Sequence, residues 1–213
     1  EEAYSLRVTP GGALITARDT KGFYYGLKTL EQLLLRRDGK TTIAACDIVD
    51  WPDFEVRGFM NDVGRNYMPL PLIAQELDSM GQLKLNVYHF HFTEHPGWRL
   101  ESKIYPELND PKNFTRMPGK FYTQKEFKQL VEYCRLRNIL LIPEMDMPGH
   151  SQPFAKAMKT GMQTEKGVSI LKEVLDEVVP LFPGRYFHMG SDEVHITMKD
   201  FIPRMAEYLR GKG

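Results

Sequence analysis

Two adjacent carboxylates follow an apolar segment near the end of the chain. Residues 186–189 have the composition of a buried strand, and the Gly-Ser pair after them leads into Asp192 and Glu193. Because neighbouring carboxylates repel each other, the protonated form of one of them is favoured, which suits a general acid. The simpler interpretation is that both acids cap the next helix. Polar residues elsewhere in the chain favour the first interpretation.

Polar side chains also follow the other apolar runs that read as strands. The whole set is Asn61, Asp62, Arg65, His89, His91, Glu94, Glu144, Asp146, His150, Asp192 and Glu193. The carboxyl ends of parallel strands meet at one face, which is the catalytic face of (β/α) barrels. The sequence therefore predicts a functional site built from the ends of four strands.

A histidine and an acid lie in a rigid turn after the third of these strands. Residues 143–150 contain two prolines and a glycine around Asp146 and His150. Histidine can relay charge to a neighbouring acid near neutral pH, although a lone histidine is more often structural.

Arg65 lies just past the first strand. Its fork of donors can bind two hydroxyls or a carboxylate, or it can form a surface ion pair.

The histidines also permit a metal site as an alternative. His89 and His91 share one face of a strand because side chains repeat every second residue. Together with His150, His188 and Asp192 they form a set that Zn²⁺ would accept, as in a metal-dependent hydrolase. The surplus of acids and the nearby Arg65 argue against a cation, so histidines hydrogen-bonded to acids are the preferred interpretation.

Aromatic residues fall in the loops over the second and third strands. They are Trp98, Tyr105 and Tyr122. Each offers a face on which a sugar ring could stack, but Trp98 could equally anchor its own loop.

The periodicity predicts two parts with a joint at residues 50–53. Residues 1–52 read as an α+β segment with a hairpin at 5–17, a helix from 22 to 37 that Asp38-Gly39 ends, and a strand from 41 to 49. Residues 53–213 alternate strand (56–63, 85–93, 139–145, 186–189) and helix (72–82, 124–137, 168–181, 201–210). Such βα repeats indicate a parallel α/β sheet, either doubly wound or closed into a barrel.

Composition excludes several classes of function. The 213 residues carry 28 acidic and 28 basic side chains, so nothing indicates binding to nucleic acid or to an anionic membrane surface. No apolar run is long enough to span a bilayer. Cys46 and Cys134 are expected to be buried thiols and not a disulfide.

Ordered motifs along the chain resemble the β-N-acetylhexosaminidases of glycoside hydrolase family 20. They are Asp50-Trp51-Pro52, Val56-Arg57-Gly58, Asp62 to Arg65, Lys84-Leu85-Asn86 with His89 and His91, Gly97-Trp98-Arg99, Pro143 to His150, and Gly190 to Val194. The opening residues 4–30 also resemble the end of the α+β domain that precedes the barrel in that family. The resemblance implies the N-terminal half of a (β/α)8 TIM barrel, about its first four βα units.

The resemblance also implies a reaction and roles for individual residues. The family hydrolyses terminal β-linked N-acetylglucosamine or N-acetylgalactosamine with retention, using the acetamido oxygen of the substrate as nucleophile. By matching position, Glu193 would be the general acid and base and Asp192 would orient the acetamido group. Arg65 would bind ring hydroxyls, while His150 with Asp146 would form a relay that Glu94 contacts. His91 belongs to the same group, and no metal or organic cofactor is implied.

Three departures from the family pattern affect these expectations. Glu94 stands where the family usually has Asp, Ser191 replaces a usual Gly, and residues 151–167 form a shorter segment than in many relatives. The family's acetamido-pocket tryptophans and tyrosine belong to the second half of the barrel. We therefore expect the chain alone to be weakly active or inactive, and its open sheet to permit self-association.

The expected partner is an amino-sugar oligosaccharide or glycoconjugate substrate. A metal-dependent hydrolase using His89 and His91, or a non-catalytic amino-sugar-binding protein, are the alternatives that the sequence leaves open. An extracytoplasmic location, whether periplasmic, secreted or lysosomal, is implied by the resemblance alone.

Overall fold

The structure, a computed structural model, describes residues 1–212 of the chain. Its strands are β1 (Tyr4–Thr9), β2 (Gly12–Ala17), β3 (Leu35–Arg37), β4 (Lys40–Thr42), β5 (Cys46–Asp50), β6 (Gly58–Asp62), β7 (Val87–His91), β8 (Thr93–Glu94), β9 (Gly97–Trp98) and β10 (Leu140–Glu144). Its α-helices are α1 (Thr20–Gln32), α2 (Leu70–Gln82), α3 (Gln124–Arg135), α4 (Gln152–Met158), α5 (Glu165–Val178) and α6 (Phe201–Arg210).

The N-terminal part is an antiparallel sheet in the order β2-β1-β5, with α1 packed against β1 and β2. Side chains of β1 alternate between buried and exposed, so Tyr4, Leu6 and Val8 point toward the helix and form a small core with Tyr25. The predicted hairpin and the α+β character of this part are confirmed.

The predicted end of the first helix is wrong. Helix α1 starts after Asp19, whose Oδ1 accepts a hydrogen bond of 2.8 Å from the amide of Gly22, and it ends at Gln32. Asp38 and Gly39 have φ of 51° and 73° and form the turn between β3 and β4. Two positive φ values are what a tight two-residue hairpin requires, so the Asp-Gly pair makes a hairpin here and does not stop the helix. The predicted strand 41–49 is accordingly divided into β4 and β5.

The second part is a parallel sheet in the order β10-β7-β6. The fourth predicted strand forms one parallel bridge, from Glu144 to His188, and not a full ladder. Backbone amides of Met145 and Met147 still donate to the carbonyls of His188 and Met189, at 3.1 and 3.0 Å. The segment 186–189 therefore continues the sheet beyond β10, as expected from its position.

The two faces of β7 differ in chemistry and this difference positions the site. Tyr88 and Phe90 are fully buried on the helix side, where the ring of Phe90 lies 5.5 Å from that of Phe127 on α3. His89 and His91 point to the opposite face because successive side chains alternate. The apolar face binds the helices, and the polar face lines the inside of the curved sheet.

Ionic contacts join the N-terminal part to the amino ends of the parallel strands. Arg57, just before β6, has Nη2 2.6 Å from Oε2 of Glu2. Lys84, before β7, donates from Nζ to Oδ2 of Asp50 at 2.7 Å and to the hydroxyl of Tyr4 at 2.8 Å. These contacts leave the carboxyl ends of the strands uncovered by the N-terminal part.

The sequence did not predict the β8–β9 hairpin or the short helix α4. Both lie in loops that follow parallel strands, and α4 packs on β9.

Both cysteines are free. Cys134 is fully buried, and burial raises the pKa of its thiol to about 12, while Cys46 is half-buried. Of the helices within residues 1–212, none is long and apolar enough to cross a membrane.

Candidate active site

The carboxyl ends of β6, β7 and β10 and the segment after residue 189 meet on one side of the sheet. Six predicted residues are joined there by direct contacts: Arg65, Glu94, Asp146, His150, Asp192 and Glu193. The remaining predicted residue, His91, lies beneath this group.

Three of these side chains form a chain from the interior to the surface. Oδ2 of the fully buried Asp146 lies 2.5 Å from Nδ1 of His150. Nε2 of the same ring lies 3.2 Å from Oε2 of Glu193, whose side chain is 74% exposed. Because the Nδ1–H of His150 donates to Asp146, the other ring nitrogen, Nε2, is directed toward Glu193. The arrangement can pass charge between a buried carboxylate and an exposed acid.

The surroundings of His150 favour its charged form. Burial alone would lower the pKa of the imidazole, because the charged ring is desolvated. The hydrogen bond to Asp146 and the charges of Glu94 and Asp192 outweigh burial, and the pKa lies above its ordinary value of 6.5. The nearest oxygens of Glu94 and Asp192 are 3.7 and 3.8 Å from the ring nitrogens. In the charged form both nitrogens donate, one to Asp146 and one to Glu193.

The segment that carries the acid pair has an unusual backbone. Gly190, Ser191 and Glu193 have φ of 64°, 89° and 49°. A Cβ at residue 190 would lie 2.0 Å from Oδ1 of Asp146, so only glycine fits. The amide of Ser191 donates to that same oxygen at 3.0 Å, and its hydroxyl donates to the carbonyl of Met147 at 2.8 Å. These bonds offset the strain of a serine in the left-handed region and fix the acid pair to the loop after β10.

Arg65 is held by carboxylates at the ends of two different strands, Asp62 of β6 and Glu94 of β8. Its Nη1 is bonded to Oδ2 of Asp62, and its backbone amide donates to Oδ1 of Asp62 at 2.9 Å. Its Nη2 lies 3.0 Å from Oε1 of Glu94, the oxygen that also faces His150. The Arg65 side chain remains 46% exposed. Glu94 thus links the arginine to the relay, and part of the guanidinium stays free for a ligand.

His91 supports this group from below. Its Nε2 lies 2.7 Å from the carbonyl of Thr93, and its Nδ1 lies 3.7 Å from Oε2 of Glu144. The hydroxyl of Thr93 accepts from the amide of Asp146 at 2.9 Å. His91 therefore reaches the relay through Thr93 and not by direct contact.

A second cluster surrounds the buried carboxylate of Glu144. Its Oε1 lies 3.0 Å from Nδ1 of His188, and its Oε2 lies 2.6 Å from Nε2 of His89. The contact with His89 is close, but neither atom has the alignment of a hydrogen bond to the other. Burial alone would raise the pKa of Glu144, but the imidazoles of His89, His91 and His188 outweigh it and lower the pKa.

The alternative zinc set is divided between these two clusters. His89, His91 and His188 gather beside Glu144, whereas His150 and Asp192 gather beside Asp146. Each cluster contains a group of three possible ligands with donor atoms within 4.8 Å of one another, and a third such group, formed by His91, Glu144 and Asp146, spans both clusters. The five residues proposed together as ligands thus face two different acids.

The prediction that loop aromatics stack on a sugar is wrong for two of the three residues. Trp98 is 1% exposed and lies 6.5 Å from the ring of Phe154, and Tyr122 is fully buried. Tyr105 donates its hydroxyl to Glu173 on α5 at 2.6 Å. Large aromatic rings in these loops cover apolar surface, and the alternative that Trp98 anchors its loop is confirmed.

Asp62 was predicted to lie at this face without a specific role, and the structure shows that it orients Arg65. Two further residues near the relay were not predicted as site residues. Thr93 and His95 gave no signal in the sequence. The ring of His95 packs edge-on against His150 with centroids 5.1 Å apart.

Family models match consecutive parts of the chain. The model of the glycosyl hydrolase family 20 catalytic domain matches residues 54–167 and 159–213, and the model of domain 2 of the same family matches residues 1–51. The chain belongs to glycosyl hydrolase family 20. The resemblance stated from the motifs is confirmed, and this membership does not favour the metal-dependent alternative.

Curated relatives of this family 20 chain carry hexosaminidase names. It is 34% identical to a beta-hexosaminidase of Porphyromonas gingivalis over 91% of the chain and 29% of the relative. It is 30% identical to human beta-hexosaminidase subunit beta over the whole chain and 41% of that relative. The chain therefore spans less than half the length of either relative.

Solved structures of the family share the fold. A beta-N-acetylhexosaminidase from Bacteroides fragilis has a TM-score of 0.90 at 34% identity, covering the whole chain and 50% of the solved one. A mutant Streptomyces plicatus beta-hexosaminidase in complex with its product GlcNAc has a TM-score of 0.89 at 27% identity, with the same coverage. The family 20 chain is the N-terminal part of a (β/α)8 barrel with a preceding α+β segment, as predicted.

Proposed function

We propose that this chain supplies the acid-base half of a site that hydrolyses terminal β-linked N-acetylhexosamine with retention. The observation that carries the proposal is the chain of contacts from buried Asp146 through His150 to exposed Glu193. A general acid must reach the glycosidic oxygen and exchange its proton between the two steps. Exposure of Glu193 meets the first need, and its contact with the imidazole of His150, whose pKa is raised, supports the second.

The reaction proceeds in two steps. Glu193 donates its proton to the glycosidic oxygen while the acetamido oxygen of the substrate attacks the anomeric carbon, which releases the alcohol and leaves an oxazolinium ion. Asp192 orients the acetamido group and stabilises the positive charge of that ion. Glu193, now a carboxylate, takes a proton from water as the water attacks the anomeric carbon. The β configuration is restored and Glu193 is protonated again.

Arg65 and the relay serve binding and proton control. The free part of the Arg65 guanidinium, held by Asp62 and Glu94, binds ring hydroxyls. His150 stabilises the carboxylate form of Glu193 when Glu193 changes from general acid to general base. The substrate is the non-reducing end of an amino-sugar oligosaccharide or glycoconjugate, of the GlcNAc or GalNAc type. The location proposed from family membership is extracytoplasmic, and fractionation of the source cells tests it.

The experiment compares this chain with a completed barrel, meaning a protein in which the chain continues through four further βα units. Release of nitrophenol from a β-linked N-acetylglucosaminide is measured for both. We expect turnover by the completed barrel only, and a loss of about a thousandfold or more in kcat for Glu193→Gln. Lys199→Gln, on the exposed loop before α6, is the control and should keep full activity.

Other outcomes identify the alternatives. A silent completed barrel that binds an acetamido-sugar thiazoline would indicate a non-catalytic sugar-binding protein. A silent barrel that retains about one Zn²⁺ per chain when purified without chelator would indicate the metal-dependent hydrolase that uses His89 and His91. Equal turnover by wild type and Glu193→Gln would remove Glu193 from the role of general acid.

A further inference from the structure

Arg99 is a fully buried arginine that no step of the proposed reaction uses. Its side chain is 0% exposed, and within residues 1–212 no carboxylate pairs with it. Burial lowers the pKa of the guanidinium, since a charged group loses its hydration. A buried unpaired charge is costly, so its surroundings must compensate for it.

The compensation comes from backbone carbonyls on two separate loops. The three guanidinium nitrogens donate to the carbonyls of Val63, Gly64, Arg116, Met117 and Lys120, at distances from 2.9 to 3.2 Å. Arginine can do this because its planar fork spreads its donors over three nitrogens. The single N–H of Nε is shared between the carbonyls of Val63 and Gly64, and Nη1 and Nη2 serve the other three carbonyls. One side chain thereby joins the loop after β6 to the loop at residues 116–120.

The first of these loops carries Arg65. The amides of Val63 and Gly64 donate to the carbonyl of His91, at 2.9 and 3.1 Å, while their carbonyls accept from Arg99 at 3.2 Å each. The two residues before Arg65 are thus held from the β7 side and from the Arg99 side. A Cβ at residue 64 would lie 2.6 Å from Cβ of Glu94, so this segment also fixes the distance between Arg65 and its acid partner.

The second loop closes around the other side of Arg65. Arg116, whose carbonyl accepts from Arg99 at 2.9 Å, has its own Nη1 3.2 Å from Oδ1 of Asn66 and 3.5 Å from the carbonyl of Arg65. Residues 63 to 66 therefore lie against the loop at residues 116–120, and Arg99 donates hydrogen bonds to carbonyls of both segments. Gly97 is required for this position of the guanidinium, because a Cβ at residue 97 would lie 2.3 Å from Cζ of Arg99.

We propose that Arg99 is a positioning residue that sets the place of Arg65 for binding of the sugar hydroxyls. The inference rests on the proposed function of Arg65 as a substrate-binding residue. Lysine at position 99 keeps the charge but carries its donors on one nitrogen, so it cannot reproduce the bonds that three separate nitrogens of Arg99 make to the two loops.

The test is a set of kinetic measurements in the completed barrel. Binding of ring hydroxyls is made equally in the ground state and the transition state, so its loss raises KM and leaves kcat nearly unchanged. We expect Arg99→Lys to raise KM roughly tenfold with kcat within about twofold of wild type. In an Arg65→Ala background, Arg99→Lys should raise KM by less than about twofold, because the two changes remove the same interaction.

Two further variants separate positioning from general stability. Gly97→Ala keeps Arg99 but displaces its guanidinium, and it should raise KM as Arg99→Lys does. Arg57→Lys is the matched control, since Arg57 also donates to two backbone carbonyls but lies at the amino end of β6. It should lower the Tm and leave KM unchanged.

Each outcome decides the proposal. Additive effects of Arg99→Lys and Arg65→Ala, or a fall in kcat without a rise in KM, would overturn it. Failure of both Arg99→Lys and Gly97→Ala to fold would also overturn it, by assigning Arg99 to folding. If the wild-type completed barrel does not hydrolyse the glycoside, the proposed function fails instead, and amide exchange at Arg65 in this chain then decides: unchanged protection in Arg99→Lys would overturn the positioning role.

Discussion

The carboxylate of Asp146 and the imidazole of His150 lie 2.5 Å apart, and the acid is fully buried while the ring faces the exposed Glu193. The two residues are separated by a short turn that follows the end of β10. Asp146 is also bound by the amide of Ser191, so the acid that fixes the ring also fixes the segment that carries Glu193. The buried carboxylate of Asp146 therefore holds in place both His150 and the segment of Glu193, the two other members of the proposed proton relay.

Replacing Asp146 with asparagine should lower activity more than stability. The amide would keep the shape of the side chain but lose the charge that favours protonated His150, so proton exchange with Glu193 would weaken. We expect kcat of the completed barrel to fall by roughly tenfold to a hundredfold, part of what general acid-base catalysis contributes. Asp200→Asn, which removes an exposed partner of Arg204 on α6, is the control. An unchanged kcat in Asp146→Asn would contradict the relay.

The raised pKa of His150 predicts the direction in which its contribution to stability changes with pH. A group whose pKa is higher in the folded state stabilises the fold fully below its unfolded value, here 6.5, and this contribution is lost as the pH rises through the folded value. The Tm difference between this chain and its His150→Gln variant should therefore shrink as the pH rises from about 6 to about 9. Thermal melts monitored by circular dichroism measure it.

The exposed His195 provides the control for this series. His195→Gln should show a Tm difference from wild type that does not follow the trend of His150→Gln. A difference for His150→Gln that grows with pH would mean that the charged ring is destabilising in the folded chain, and the assigned direction of the pKa would be wrong.

Local patterns were enough to predict the alternation of strand and helix and the gathering of polar residues at one face. The reason is that strand length, side-chain alternation and the direction of parallel strands are properties of short segments. The prediction that Asp38-Gly39 ends a helix is wrong, because the same pair can end a helix or close a hairpin. Pairing of β3 with β4, on either side of this turn, decides for the hairpin.

The contacts that hold the site could not be predicted in the same way. Arg99 donates to carbonyls that lie up to 36 positions away in sequence, and nothing in the residue types marks those carbonyls as acceptors. The burial of Trp98 and Tyr122 likewise depends on how the loops fold over one another. The proposed roles of Glu193 and Asp192 came from the ordered motifs of the family, since an isolated acid pair is more often a helix cap.

Gly190 should be one of the least replaceable glycines in the chain. Alanine there meets both a positive φ of 64° and an oxygen of Asp146 at 2.0 Å. We expect Gly190→Ala to lower the free energy of unfolding by about 3 kcal/mol, from backbone strain together with overpacking. Gly39 is a matched control, because its φ is 73° and a Cβ there would meet nothing within 4 Å.

Urea denaturation of this chain tests the comparison. Gly39→Ala should cost about 1 kcal/mol, the backbone contribution alone. Equal costs for the two variants would show that the contact with Asp146 relaxes freely, and the account of how the acid pair is fixed would then fail.

Self-association is the last expectation that the structure makes testable. Strand β6 lies at the edge of the parallel sheet and pairs within residues 1–212 only with β7. Phe59 and Met60 on this strand are 48% and 46% exposed. An unpaired edge with apolar side chains favours pairing with another strand, and a second copy of the chain offers one.

Sedimentation velocity over a range of concentrations measures this association. We expect the chain to form dimers at concentrations on the order of tens of micromolar, as weak interfaces do. Phe59→Lys should shift the chain to monomer, because a charged side chain on an edge strand opposes pairing. Leu136→Lys, at an exposed position after α3, is the control and should sediment as wild type does. A wild-type chain that is monomeric at every concentration would show that the β6 edge does not pair with a second copy.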